Sequence, residues 1–292
     1  LWGADRLTDG AVAVAEKMKM PQIVIGLTVV AMGTSMPEFC VSLISALKGT
    51  SDLAVGNIVG SNIFNTLLIV GVSALVAPMS IMKTTVRKDI PFALVASTLL
   101  LIMCLDGDIS RIDAAILFVM FLIFMYITLR GAKAQGTDLE EKEKKPMATW
   151  LSIVWILVGL ACLIGGSNLF VDGATAVATK LGVSEAVIGL TIVAGGTSLP
   201  ELATSVVSAR KGNSGIAIGN VLGSNVFNIL AILGLTGVIS PMTLKGITMT
   251  DLSMMVISII LIWLFSFTKY KIERWEGAIL TAVFVGYIYS LL

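Results

Sequence analysis

Glu38 and Glu201 each stand in the middle of an apolar segment, closing the hexapeptides Gly33-Thr34-Ser35-Met36-Pro37-Glu38 and Gly196-Thr197-Ser198-Leu199-Pro200-Glu201. An unpaired carboxylate in such a setting is expensive and is read as functional. On a helix, Thr34 and Ser35 precede Glu38 by four and three residues and share its face, as Thr197 and Ser198 do for Glu201. Pro37 and Pro200 lack an N–H, which frees the carbonyls of Gly33 and Gly196 four residues earlier. Each turn therefore offers hydroxyl, carbonyl and carboxylate oxygens. Two further polar runs, Gly56–Asn65 and Gly219–Asn228, both read G-N-x-x-G-S-N-x-F-N. Asn57, Ser61 and Asn65 are spaced by four and form one polar stripe on a helix, with Asn220, Ser224 and Asn228 as its counterpart. Interhelical hydrogen bonding is an alternative use of these amides. Gly56, Gly60, Gly219 and Gly223 supply small surfaces on which helices can approach closely.

The donors are all oxygens. The chain has no histidine, and its three cysteines, Cys40, Cys104 and Cys162, lie in apolar spans with no pairing pattern, as packing residues do. Hard cations take such ligands, Ca²⁺ about six to eight of them in flexible geometry, whereas Zn²⁺, Cu⁺ and Ni²⁺ call for nitrogen or sulfur. Two carboxylates neutralise one divalent ion or two monovalent ions such as Na⁺. Mutually exclusive occupancy by Ca²⁺ or by several Na⁺ would couple their movements, which is the minimal physics of an antiporter. A cation channel is the alternative from another class, because paired acidic groups also build filters. An enzyme is not expected: there is no imidazole, Ser–Lys pair or Asp pair in the spans, and no cofactor is implied.

The elements that must hold these groups are membrane helices. The chain is 56% apolar and 13% charged, with mean hydropathy +0.95, whereas a soluble domain carries about 25% charged residues. Residues 1–78 return as 164–241 at a constant offset of 163, with about half of the positions identical and no gap. Duplication of this kind is typical of secondary transporters whose halves meet around an ion site. Ten spans are expected: a remnant ending near residue 16, then about 21–47, 52–78, 89–106, 111–130, 148–179, 184–209, 214–240, 248–268 and 274–292. One set of alternate loops carries fifteen Lys and Arg, the other four. That bias puts the charged 131–147 linker in the cytoplasm. Five spans per copy is an odd number, so the second copy enters the membrane inverted. The fold expected is an all-α polytopic membrane protein, a five-plus-five inverted repeat of residues 1–130 and 148–292. The first copy lacks the counterpart of Ala148–Leu163, so its first helix is read as truncated and the natural chain as starting earlier.

The paired G-T-S-x-P-E and G-N-x-x-G-S-N-x-F-N motifs resemble the two repeats of the Na⁺/Ca²⁺ exchanger family, within the Ca²⁺/cation antiporter superfamily, over nearly the whole chain. The resemblance implies ten helices, a four-helix core around the ions, and long first and sixth helices that slide against that core. It implies ion-binding positions at Ala31 (through its carbonyl), Thr34, Ser35, Glu38, Ser61 and Asn65, and at Ala194, Thr197, Ser198, Glu201, Ser224 and Asn228. K⁺-dependent relatives carry aspartate where this chain has Asn228, and H⁺-coupled relatives carry glutamate where it has Gly60 and Gly223. Na⁺ and Ca²⁺ are thus the expected transported ions, with H⁺ or Sr²⁺ as competitors. A Ca²⁺/H⁺ or other cation exchanger on the same scaffold is the alternative within the superfamily. The short linker matches prokaryotic members, which implies the inner membrane. The expected partners are the ions and the lipid bilayer, with no nucleic acid and no obligate protein partner.

Overall fold

Long apolar runs satisfy their backbone polar groups in lipid only by becoming helices, and this chain follows the rule. The structure, a computed structural model, describes residues 1–134, 147–181 and 192–291. Its helices are α1 (Trp2–Lys17), α2 (Gln22–Thr34), α3 (Met36–Leu47), α4 (Ser51–Val76), α5 (Thr85–Asp106), α6 (Arg111–Ala134) and α7 (Thr149–Lys180), then α8 (Ala194–Thr197), α9 (Leu199–Arg210), α10 (Ser214–Ile239), α11 (Met249–Ser266) and α12 (Arg274–Leu291). The start of the expected span 184–209, most of the 131–147 linker and Leu292 lie outside the described residues. Among the described residues six helices are long and apolar enough to cross a membrane, or seven when α2 and α3, bent by 48° at their junction, count as one broken span.

The molecule is apolar outside and polar inside. Trp150, Leu157, Leu169, Ile112 and Tyr126 are exposed, while Glu38, Glu201, Asn57, Asn62, Asn65, Asn220, Asn225 and Asn228 are buried. That inversion of the usual arrangement fits a lipid surround. Only 22% of the most apolar stretch of α6 or α7 is buried, against 72% for α4 and all of it for α10. The helices bearing the polar stripes are therefore central. Cys104 is buried as expected, but Cys40 and Cys162 are exposed on the apolar exterior.

The two copies are related by contacts that exchange when 163 is added or subtracted. Met79 pairs with Ile272 in a two-residue antiparallel ladder of β1 (Met79–Ser80) and β4 (Lys271–Ile272). Its image pairs Met242 with Ile109, in β3 (Met242–Thr243) and β2 (Asp108–Ile109). These short ladders tie the end of each copy's third helical segment to the other copy, and nothing in the apolar pattern announced them.

Glycines set the closest approaches. A Cβ on Gly26 would lie 2.9 Å from the Gly219 Cα, so α2 and α10 cross almost backbone to backbone. A Cβ on Gly223 would stand 2.6 Å from the Leu27 Cα, again α2 against α10. Gly56 and Gly60 are looser: the nearest described atoms would be an Ile247 side-chain carbon at 3.1 Å and the Ala194 Cβ at 3.4 Å. Helices α1 and α7 are packed the same way, since a Cβ on Gly159 would meet the Gly3 carbonyl at 2.6 Å. Lys211, just past α9, is paired with Asp5 at 2.6 Å and Asp9 at 2.7 Å, and Thr8 and Ser208 are hydrogen-bonded at 3.0 Å. These contacts fasten α1 to α9.

Gly223→Ala is expected to overpack this crossing and cost about 1–3 kcal/mol, seen as a lower midpoint in a thermal-unfolding series in detergent. Gly166→Ala, where a Cβ would meet no atom of the described residues within 4 Å, is expected to leave that midpoint unchanged or slightly raised.

Candidate ion-binding site

The hexapeptide G-T-S-x-P-E makes a break rather than a continuous helix. Ser35 at φ −83° and ψ 11°, and Ser198 at φ −85° and ψ 5°, leave helical geometry in the same way. Pro37 and Pro200 follow in the first turn of the next helix, where a missing N–H costs nothing. Each glutamate thereby falls in the first turn of a new helix, fully buried. A π-helical stretch, Gly26–Val30, precedes the break in the first copy. Further π-helical stretches begin at Phe64 and Phe227, immediately before Asn65 and Asn228. An extra residue per turn at these points re-aims the side chains, as π-bulges at functional sites do.

All twelve positions implied by the family resemblance are buried, and those of the two G-T-S-x-P-E breaks meet across the seam of the two copies. The hydroxyls do not serve the carboxylate of their own turn. Ser35 Oγ donates to Glu201 Oε1 at 2.8 Å, and Ser198 Oγ donates to Glu38 Oε1 at 2.9 Å. Thr34 Oγ1 lies 3.0 Å from Asn220 Oδ1, and Thr197 Oγ1 lies 3.4 Å from Asn57 Oδ1. Asn57 Nδ2 donates to the Glu38 carbonyl at 3.2 Å and to Ser42 Oγ at 3.0 Å. Asn220 repeats this with the Glu201 carbonyl and Ser205 at the same distances. The first amide of each stripe is therefore a strut: it fixes the backbone of its own glutamate while its oxygen faces the threonine of the other copy. Ser42 and Ser205, its supports, were not singled out in the sequence; their spacing of four from the glutamates was the available signal.

Five buried oxygens of this cluster have no hydrogen-bond partner among the described residues: Glu38 Oε2, Glu201 Oε2, Ser61 Oγ, Asn65 Oδ1 and Asn228 Oδ1. Buried polar atoms are almost always satisfied, so these unsatisfied acceptors are open to something electropositive. Ser224, the counterpart of Ser61, differs in reaching Glu201 Oε1 at 3.4 Å. The alanine carbonyls are already in use: Ala31 O accepts from the Ser35 N–H at 3.0 Å, and Ala194 O accepts from Thr197 Oγ1 at 3.1 Å. A carbonyl has a second lone pair, so Ala194 O can still take an ion, whereas Ala31 O can do so only when the Thr34 hydroxyl, 3.3 Å away, turns to the Val30 carbonyl or to Asn220 Oδ1 instead. The carbonyl expected to be free at Gly196 is instead taken by Ser167 Oγ from α7. Its counterpart position in α1 is Ala4, which has nothing to donate. No group of three or more His, Cys, Asp or Glu side chains exists among the described residues that could hold a metal ion; the donor set is the mixed hydroxyl, amide and carboxylate set that suits hard cations.

Comparison with known proteins agrees with this chemistry. The profile of the family described as sodium/calcium exchanger protein matches residues 1–130 and 151–292. The chain is 38% identical over 301 residues to the inner membrane protein YrbG of Escherichia coli, across all of this chain and 93% of that one. It is 33% identical over 330 residues to the sodium/calcium exchanger MaX1 of Methanosarcina acetivorans, across 99% of this chain and 94% of that one. Its fold matches that of the sodium-calcium exchanger NCX_Mj, soaked with Na⁺ and Ca²⁺, with a TM-score of 0.86 at 32% identity, covering the whole chain and 94% of NCX_Mj.

Asn57→Ala and Asn220→Ala each remove a buried amide and strand its partners, which costs about 1–3 kcal/mol. The two variants are expected to lower the thermal midpoint by similar amounts, because the struts are images of each other; a large loss from one with none from the other would contradict the paired arrangement.

Proposed function

This chain belongs to the sodium/calcium exchanger family, and we propose that it exchanges several Na⁺ for one Ca²⁺ at the oxygen cluster between its two copies, by alternating access. It is a multi-pass membrane cation antiporter; the identity of its ions, their site and the direction of exchange are the proposal. The observation behind it is the set of five unpartnered buried oxygens drawn from both copies. Glu38 and Glu201 supply two negative charges, which one Ca²⁺ or two Na⁺ neutralise. A third Na⁺ on the neutral oxygens of Ser61, Asn65 and Asn228 would make the exchange electrogenic. Thr34, Ser35, Thr197, Ser198 and Ser224, with the carbonyls of Ala31 and Ala194, complete the ligand set. Cations that share ligands cannot bind together, so each translocation carries one kind of cargo. Sr²⁺ and protons compete for the same oxygens.

Alternating access is assigned to the α1–α7 pair moving against the core. Those two helices touch backbone to backbone, which supports their moving as a unit. The polar contacts of α1 with Ser208 and Lys211 can be exchanged for others during a slide. The topology we propose is the ten-span inverted repeat, residues 1–130 and 148–292, with the 131–147 linker in the cytoplasm. The name of YrbG supports the inner membrane as its location, and the expected net direction is Ca²⁺ extrusion.

The test is uptake of radioactive Ca²⁺ into proteoliposomes loaded with Na⁺ and diluted into choline or K⁺. Uptake is expected to require the outward Na⁺ gradient and to be indifferent to K⁺. Glu38→Gln and Glu201→Gln are expected to reduce it by more than about a hundredfold, since a buried charged ligand is worth several kcal/mol, with unchanged elution on size exclusion. Uptake indifferent to Na⁺ but driven by a pH gradient would move the coupling to protons, and a unitary conductance would make the chain a channel.

A further inference from the structure

An amide side chain presents an oxygen at one end and an NH₂ at the other, and only the oxygen can ligate a cation. Asn65 and Asn228 serve the ion only if both are turned the right way. No described residue of the site fixes that choice, because their oxygens have no partner among the described residues. It is fixed behind them, across the seam, by residues outside the proposed ligand set.

In the first copy the anchor is Thr66. Its single hydroxyl proton is donated to the Asn62 carbonyl at 2.6 Å, so toward any other neighbour it can only accept. That neighbour is Asn225, whose Nδ2 lies 2.7 Å from Thr66 Oγ1. Asn225 is thereby oriented with its Oδ1 toward Asn65, and Asn65 must answer with its NH₂, at 3.1 Å. With its NH₂ engaged, Asn65 is left with its oxygen unpartnered among the described residues and open to an ion. In the second copy Ile229 stands where Thr66 stands in the first, and the anchor is instead a backbone carbonyl. Asn62 Nδ2 donates to the Asn225 carbonyl at 3.2 Å, a group that can only accept. Asn62 Oδ1 then faces Asn228 Nδ2 at 3.0 Å, and the Asn228 oxygen is left free. Thr66, Asn62 and Asn225 are fully buried, as are the two amides they orient, so no bulk water competes for these bonds.

We infer that Asn62, Asn225 and Thr66 are positioning residues: a hydrogen-bond relay that turns the amide oxygens of Asn65 and Asn228 toward the cation. This rests on the ion site proposed above. The relay is crossed, since each amide is set by an asparagine of the other copy. It is also unequally anchored, by a hydroxyl in one copy and by the main chain in the other. The second anchor is immune to side-chain substitution at position 229, whereas the first depends wholly on the Thr66 hydroxyl.

Thr66→Val keeps the shape and removes the hydroxyl, while Thr66→Ser keeps the hydroxyl and removes a methyl group. Ca²⁺ titration of the purified full chain is expected to show Thr66→Val binding about fivefold more weakly, roughly the net worth of one hydrogen bond, and Thr66→Ser within about twofold of the parent. Parent affinity in Thr66→Val, or equal weakening in both, would overturn the relay, the second outcome because only packing would then be at stake. A second readout needs no Ca²⁺. In ¹⁵N spectra of asparagine-labelled protein, Thr66→Val is expected to shift or double the side-chain amide signals of Asn65 and Asn225 and to spare that of Asn228. Unmoved signals would overturn the relay. Moved signals in a protein whose parent form binds no Ca²⁺ would keep the relay and sink the ion reading instead.

Discussion

Two carboxylates buried within one seam dominate the architecture. Among the described residues neither Glu38 nor Glu201 has a basic side chain to pair with, and each carboxylate is held by serine hydroxyls. The shortest hydroxyl contact to each carboxylate comes from the opposite copy: Ser198 serves Glu38 and Ser35 serves Glu201. A reciprocal exchange of this kind cannot be satisfied by one copy alone, since a single G-T-S-x-P-E break would leave its glutamate without its donor. The close crossing of α2 on α10, the central burial of α4 and α10, and the paired β ladders all follow from the need to bring two copies of one motif face to face.

Unsatisfied acceptors in such a place are both a cost and a function. Five buried oxygens without partners would be a serious defect in a soluble core. At the ion site proposed here, a bound cation would supply the missing partner. Rigidity around it comes from bonds that do not point at the site: Asn57 and Asn220 clamp the glutamate backbones, and Thr66, Asn62 and Asn225 turn the amides. These supports act through geometry and do not depend on what occupies the proposed site.

The copies have nonetheless drifted apart where symmetry is not needed. Ser167 reaches the Gly196 carbonyl from α7, whereas Ala4 cannot do the same from α1. Tyr287 donates to Asp251 at 2.6 Å in the second copy, where the first has Phe124 and Lys88. Such differences make the two faces of the molecule unequal, which a carrier moving ions between unlike compartments can use.

The sequence by itself determined the helices, the repeat and the oxygen-rich polar motifs, because these depend on local chemistry: apolar runs long enough to span, an offset of 163 that keeps register, and oxygen-bearing residues next to proline. The break at Ser35 and Ser198 was legible in Pro37 and Pro200, and the stripes in their spacing of four. Pairing across the seam was not legible. On one helix Ser35 sits on the face of Glu38, and periodicity alone assigns its hydroxyl to that carboxylate; the fold gives it to Glu201. Asn62 and Asn225 were printed in the repeated motif but lie off the stripe of fours, so their task of turning Asn228 and Asn65 could not be read from spacing. Nor could the capture of the Gly196 carbonyl by Ser167, 29 residues away in sequence. Hydrogen-bond partners between copies depend on how two helices cross, and that crossing is set by backbone contacts such as Gly26 on Gly219, which exist only once the chain has folded.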